Sequence, residues 1–363
     1  MSDPFAFLVA RGPIVEATTA DAWLNAMLDV EAALADAQAA VGVIPAGAAA
    51  AVVAACRSEQ FDGAAVFEEA AIGGVPVIGL VQRLRTAVGD DHAEWVHRGA
   101  TSQDVMDTAA MLIVSRCCDL TAVPLNAAIG LVDRFDDRHG AQPMIGRTLG
   151  QYAAATTFGN VTGRWRDGLT EADATLRSLA TALPVQLGGP VGDSAPDGAD
   201  VAIAAGVAQR LNLADPPRSW HTQRAPIARI AGAWGVAAAA VSTVATQIVM
   251  FAASDVGELT ERAAGTGGSS SMPHKHNPVA AVSARAAAMQ VSGLVATVLH
   301  AAGGHEFERA AGAWHAEWPA LNAMLRTTGS AIDWLTTSLD RITVDADRLA
   351  TNLTSALEEQ THE

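Results

Sequence analysis

IAGAWGVAAAAVSTVATQIVMFAAS, residues 230–254, runs without one charged side chain. It is long enough to cross a bilayer, for which about 20 apolar residues suffice. Its hydrophobicity rests mostly on alanine, glycine and valine, and Ser242, Thr243, Thr246 and Gln247 interrupt it. That composition makes a poor lipid-facing surface. A helix that is apolar all round and outside lipid is buried in protein. The segment therefore predicts the centre of a helical bundle, and one that several copies of the chain can share.

The rest of the chain reads the same way. Half of its 363 residues are apolar but only 5% are aromatic, and alanine is abundant, which favours closely packed helices over a β-sandwich. From Ala20 to Val41, Trp23, Leu24, Met27, Leu28, Ala32, Leu34 and Ala35 recur at helical spacing, with acidic residues between them. Gly42 and Pro45 end that helix, and Ala48 to Arg57 resumes as another. Ala70 to Val81 reads as a loop entering a helix, because it holds Gly73, Gly74 and Pro76. Thr108 to His139 predicts a long helix kinked or interrupted at Pro124. Leu183 to Ala199 is rich in glycine and proline and reads as a functional loop or linker. Pro216-Pro217 breaks the next helix. Val279 to His300 and Trp318 to Asp340 supply two more.

A formal charge of −16 argues against a nucleic-acid or anionic-membrane binder, since both need a basic footprint. Any anionic ligand must then meet a local basic pocket. Cys56, Cys117 and Cys118 form no CxxC pair and are too few for a disulfide framework, so a reducing compartment and no metal site are expected. Met1-Ser2-Asp3-Pro4 has no basic region followed by an apolar one, which makes the cytoplasm the expected location.

The most unusual stretch is Gly265-Thr266-Gly267-Gly268-Ser269-Ser270-Ser271-Met272-Pro273-His274-Lys275-His276-Asn277-Pro278. Glycines let consecutive N–H groups turn onto one anion, and here they stand beside serines, a lysine and two histidines. A Gly-Ser run alone reads as a solvated helix cap. With its continuation, the stretch resembles the signature of the fumarase/aspartase superfamily, Gly-Ser-Ser-x-Met-Pro-x-Lys-x-Asn-Pro, matched at each fixed position from Gly268 to Pro278. The resemblance implies that Ser269 exchanges a proton with the carbon next to a substrate carboxylate. Ser270 and Lys275 are the accompanying catalytic candidates. Lys275, Asn277 and the loop main chain would stabilise the developing enediolate and lower the serine's pKa, with Met272 beside them.

Further blocks carry the same likeness. His97-Arg98-Gly99-Ala100-Thr101-Ser102-Gln103-Asp104, followed by Asp107-Thr108, resembles the block whose Thr-Ser pair binds a substrate carboxylate. A Thr-Ser-x-Asp cap reading is compatible with that role, because a capped helix N-terminus is itself an anion site. Gly146-Arg147-Thr148-Leu149-Gly150-Gln151-Tyr152 resembles a third block, but Leu149 stands where fumarases and adenylosuccinate lyases have a histidine that assists the leaving group. Tyr152 also departs from the histidine of many members. Trp220-His221-Thr222-Gln223-Arg224 and Trp314-His315-Ala316-Glu317-Trp318 resemble blocks of the carboxymuconate cycloisomerase branch. Between them Phe307 stands where that branch carries histidine. Arg224 and Arg309 are candidates for bidentate carboxylate contacts.

The resemblance implies an all-α fold with long central helices in a homotetrameric bundle and active sites built from several subunits. It implies an N-terminal helical domain over 1–105 and a central domain over 106–345 carrying the loop 263–278. A short tail over 346–363 would replace the usual C-terminal domain. The implied reaction is cofactor-free lactonisation of a tricarboxylate, 3-carboxy-cis,cis-muconate, in protocatechuate degradation. Its site residues would be Ser269, Ser270, Lys275, His97, Arg98, Thr101, Ser102, Arg147, Thr148, Gln151, His221, Gln223, Arg224, Met272, Asn277 and Arg309. Another superfamily lyase, such as an adenylosuccinate-lyase-like enzyme, and a non-catalytic scaffold are the alternatives. No nucleic acid or membrane partner is expected.

Overall fold

A computed structural model of the chain describes residues 4–57, 61–193, 199–272 and 274–361. Ser194 to Gly198 of the glycine- and proline-rich stretch, and Pro273 of the signature, lie outside the described residues. The N-terminal part carries α1 (Ala6–Val9), α2 (Ala20–Ala40), α3 (Ala46–Cys56), α4 (Gly63–Gly73) and α5 (Pro76–Val88). After them come α6 (Ser102–His139), α7 (Phe158–Ala180), α8 (Ala199–Leu211), α9 (Ala225–Phe251), α10 (Val279–Ala302), α11 (Ala313–Arg341) and α12 (Ala346–Thr361). Two short antiparallel pairs join them, β1 (Pro143–Thr148) with β2 (Gln151–Thr157) and β3 (Leu259–Glu261) with β4 (Ile342–Val344).

Five long helices make the core. α10 lies against both α9 and α11, and α6 lies against α7 and α11. Trp165, Trp234 and Trp314 are fully buried among them. α2 buries Trp23, Leu24, Met27, Leu28, Leu34 and Ala35, the face that its periodicity predicts, and Thr19 caps it by accepting the Ala22 N–H at 3.1 Å.

Several expectations need correction. Residues 70–81 are helical except at the break after Gly73: Gly74, at φ 75°, caps α4, and Pro76 opens α5. The glycine and proline read as loop formers are cap residues. α6 begins at Ser102 and continues unbroken through Pro124. The hairpin of β1 and β2 was not legible as strand. α9 is not buried all round within one chain, since Val236 and Met250 are 42% and 59% exposed. α6, α9 and α10 are each long and apolar enough to cross a membrane by length and composition, and each packs against other helices of the bundle.

Packing is close where α11 passes the turn before α2. A Cβ on Gly329 would stand 2.5 Å from Ile14 Cδ1 and 2.7 Å from Ile14 Cγ2. Gly329→Ala should therefore force Ile14 out of its rotamer and cost about 1–3 kcal/mol. A lower urea midpoint with an unchanged slope is the expected reading.

Candidate active site

The signature loop hangs from one carboxylate. Glu261, at the end of β3, accepts the Ala280 and Ala281 N–H groups at 2.8 and 2.9 Å and the Ser338 hydroxyl at 2.6 Å. It thereby caps α10 and ties the loop's stem to its far end. Within the loop the Gly267 carbonyl accepts both the Asn277 N–H at 2.7 Å and its side-chain Nδ2 at 3.2 Å. Gly267 sits at φ 76°, and a Cβ there would lie 2.6 Å from the Asn277 carbonyl oxygen, so only glycine fits. Asn277 thus acts as a clip on the loop instead of standing free for substrate. Ser269 Oγ accepts the Met272 and Ser271 N–H groups at 3.2 and 3.4 Å, which leaves the hydroxyl's own proton available to another acceptor. Ser270, Met272 and Lys275 are exposed.

The third block lies at the same end. β1 and β2 pair Arg147 with Tyr152 and Thr148 with Gln151, leaving Leu149-Gly150 as a two-residue turn at φ 52° and 82°. Leu149 points fully into solvent. Arg147 is not free: Glu258, wholly buried, takes its two terminal nitrogens at 2.7 and 3.1 Å and also accepts Asn352 Nδ2 at 2.8 Å. Sequence reasoning missed Glu258 and Asn352. The available signal was the run of carboxylates Asp255, Glu258 and Glu261 just past the charge-free helix. Thr148 and Gln151 remain exposed.

The other blocks meet at the opposite end of the bundle, around the N-terminus of α6. Thr101 donates its N–H to Asp104 Oδ2 at 2.9 Å and its carbonyl accepts the Asp104 N–H at 3.0 Å. Asp104, almost fully buried, also accepts the Gly188 and Gly189 N–H groups at 2.9 and 3.0 Å, pinning the 183–193 segment. Burial pushes its carboxyl up to about 6 against the pull of these N–H donors. Thr101 Oγ1 accepts Arg309 NH2 at 2.6 Å, and Ser102 stands beside it half-buried. Arg309 is exposed at this helix N-terminus, its guanidinium bonded to Thr101 and 5.8 Å from the Trp314 ring, with no carboxylate partner among the described residues.

Arg224 corrects the expectation that it holds substrate. Its guanidinium is 1% exposed and fully engaged: Asp107 takes NH1 and NH2 at 2.5 and 2.9 Å, and Glu317 takes Nε and NH2 at 3.0 and 2.5 Å. Trp314 Nε1 donates to Asp107 at 2.9 Å, and His305 Nε2 lies 3.1 Å from Glu317. Burial opposes the charge on Arg224, and Asp107 and Glu317 together outweigh it. Arg224 therefore ties α6, the start of α9 and α11 together. Gln223 is exposed, and Arg98 stacks on Trp95 at 4.8 Å.

His97 is likewise held from behind, its Nδ1 2.6 Å from the fully buried Glu31. Burial works against its charge, but Glu31 prevails and raises its pKa. A histidine raised on folding contributes stability that is full below the ordinary value, roughly 6.5, and is lost as pH rises through the folded value. Unfolding free energy should accordingly fall as pH rises above the ordinary histidine value and through the raised folded one. Glu31→Gln should remove that part of the slope in denaturant titrations.

The two ends are far apart. α10, 24 residues long, separates the signature loop from the Arg309 segment by about 36 Å at 1.5 Å per residue. One small substrate cannot touch Ser269 and Thr101 of the same chain. Among the described residues no group of three histidine, cysteine or acidic side chains is placed to hold a metal ion. Cys56, Cys117 and Cys118 are buried free thiols, and burial raises the pKa of each, Cys118 to about 12.

Comparison with known proteins adds to this geometry. A family model described as Lyase matches residues 6–293. A nitrosuccinate lyase of Streptomyces davaonensis is 42% identical over 360 residues, 95% of this chain and 76% of the relative. A 3-carboxy-cis,cis-muconate cycloisomerase of Bradyrhizobium diazoefficiens is 40% identical over 336 residues, 91% of this chain and 74% of that one. The crystal structure of the 3-carboxy-cis,cis-muconate lactonizing enzyme from Pseudomonas putida superposes with a TM-score of 0.88 at 32% identity, covering 97% of this chain and 79% of that one.

Proposed function

The chain belongs to the fumarase/aspartase superfamily of lyases, and from that premise we propose that it makes or breaks a bond one carbon away from an enediolate, with the leaving group departing as a stable anion. The observation that carries this reading is Leu149. It occupies the hairpin tip, fully exposed, where a leaving group that needs protonation would require an acid. A carboxylate or another weakly basic anion needs none.

The named reaction that we favour is lactonisation of 3-carboxy-cis,cis-muconate. One carboxylate oxygen attacks the conjugated alkene, and the electron pair moves onto the carbon next to a second carboxylate. Lys275 and the loop N–H groups hold the resulting enediolate. Ser269 then delivers a proton to that carbon and is reprotonated from water, giving 4-carboxymuconolactone. Thr101, Ser102 and Arg309 hold a carboxylate at the α6 N-terminus. Such chemistry requires orientation and electrostatics and no cofactor.

Because one chain keeps these groups at opposite ends, the site is completed by another copy. Exposed Val236, Met250, Val282, Met289 and Leu299 on α9 and α10 supply an apolar surface for a homotetrameric bundle. The buried free thiols suit a cytoplasmic setting.

A second substrate has a specific observation in its favour. The nitrosuccinate lyase is 42% identical, and Tyr152 and Phe307 both depart from the histidines of the cycloisomerase branch. Removal of the proton next to a carboxylate of nitrosuccinate would expel nitrite, also a stable anion, and leave fumarate. Assays of the purified protein separate the two. Loss of diene absorbance with 3-carboxy-cis,cis-muconate supports lactonisation, nitrite release supports elimination, and activity on neither contradicts the reading.

A further inference from the structure

His221 is 4% exposed, and among the described residues neither of its ring nitrogens has a partner at ordinary hydrogen-bond geometry, although the Glu308 main chain acts on the ring as a weak acceptor. Leaving two polar atoms buried without partners is costly and calls for an explanation. Its surroundings offer one. The His221 carbonyl accepts Gln103 Nε2 at 2.6 Å, which fixes the residue beside the first turn of α6. A Cβ on Gly192 would lie 2.7 Å from His221 Cβ, so glycine alone lets the 183–193 segment close against the residue. Arg309, whose guanidinium bonds Thr101 Oγ1 at 2.6 Å, exerts the larger cationic influence on the ring, ahead of Arg224.

The charges around the ring bias its protonation. Burial and then Arg309 hold the imidazole below its ordinary pKa, with Arg224 acting in the same sense. Asp107 of α6 and the Glu308 main chain, between α10 and α11, act against them. Behind Arg224, Glu317 of α11 and His305 complete the charged and titratable groups packed here. A carboxylate arriving beside Arg309 would cancel that guanidinium's field and give the ring an acceptor.

We propose that His221 takes up one proton from solvent when a substrate carboxylate binds at the α6 N-terminus, and that the resulting imidazolium donates to that carboxylate beside Arg309, Thr101 and Ser102. This rests on the reading that Thr101 and Ser102 receive a substrate carboxylate. The sign follows directly: binding coupled to proton uptake weakens as pH rises.

The test uses the intact protein and a non-reactive tricarboxylate, tricarballylate, titrated calorimetrically in two buffers of different ionisation enthalpy. Wild type should take up most of one proton per site near neutral pH, with affinity falling up to about tenfold per pH unit above it. His221→Asn should abolish the uptake and weaken binding about tenfold, one charged hydrogen bond's worth. No uptake in wild type overturns the proposal without depending on whether a variant folds, and uptake retained in His221→Asn overturns it too. Binding unaffected by Thr101→Ala and Ser102→Ala would instead overturn the underlying carboxylate reading. Loss of binding in those two variants together with unchanged binding in His221→Asn would leave the reading standing and sink the inference alone.

Discussion

Ser269→Ala should lower turnover by about 10²–10⁴-fold, the range for losing a proton-transferring group, while the protein folds and assembles as before. The side chain is half-exposed and, among the described residues, its hydroxyl accepts only the neighbouring Met272 and Ser271 N–H groups, so little packing is lost. Glu261 still fastens both ends of the loop. The deficit should lie in kcat, with KM little changed, because the missing group acts on the carbon in the transition state and not in binding. Ser271→Ala, at the exposed variable position of the signature two residues on, is the control that separates loop disturbance from lost chemistry.

Arg224→Met should cost about 3–5 kcal/mol of stability, the usual result of removing one partner from a buried ion pair. Asp107 and Glu317, 2% exposed each, would be left facing one another without a cation. That loss is a large share of the total stability of an ordinary domain, about 5–15 kcal/mol. Arg224→Lys should recover only part of it, since an ammonium cannot reproduce the fork that reaches two carboxylates on two helices. Arg309→Ala offers the contrast: it is exposed, so stability should hold while ligand affinity falls. Chemical denaturation read alongside binding separates the two arginines.

These two arginines show what a sequence can and cannot disclose. Both stand in blocks with the right chemistry, and nothing along the chain distinguishes a guanidinium saturated by Asp107 and Glu317 from one left open beside Thr101. The difference arises from helix packing, which brings together residues 93 and 117 positions away from Arg224. Arg147 repeats the lesson, because Glu258 claims it across 111 positions. Asn277, expected as a substrate donor, bonds back to Gly267.

Local order was more readable. The face of α2 followed from its apolar spacing, and the long helices from alanine and the absence of charge. Gly74 and Pro76 were misread because the same residues that break a helix also end one and begin the next, and only the register decides which. The hairpin of β1 and β2 escaped notice because the -Leu-Gly- turn lacks the usual Asn-Gly or Asp-Gly signal. Leu149 itself was legible as a departure; its exposure at the tip of that hairpin, in a left-handed conformation, was not. The apolar side left open on α9 within one chain fits the idea that a bundle helix is completed by other copies.

The proposed shared site is most directly tested by mixing two inactive chains. Ser269→Ala carries an intact α6 N-terminus, and Thr101→Ala/Ser102→Ala carries an intact signature loop, so each supplies what the other lacks. Co-expression, followed by the ultraviolet diene and nitrite assays, should restore turnover that neither variant shows alone, because some sites then combine two unaltered ends. Mixed assemblies that stay inactive, when the two chains are shown to associate, would contradict a site shared between copies.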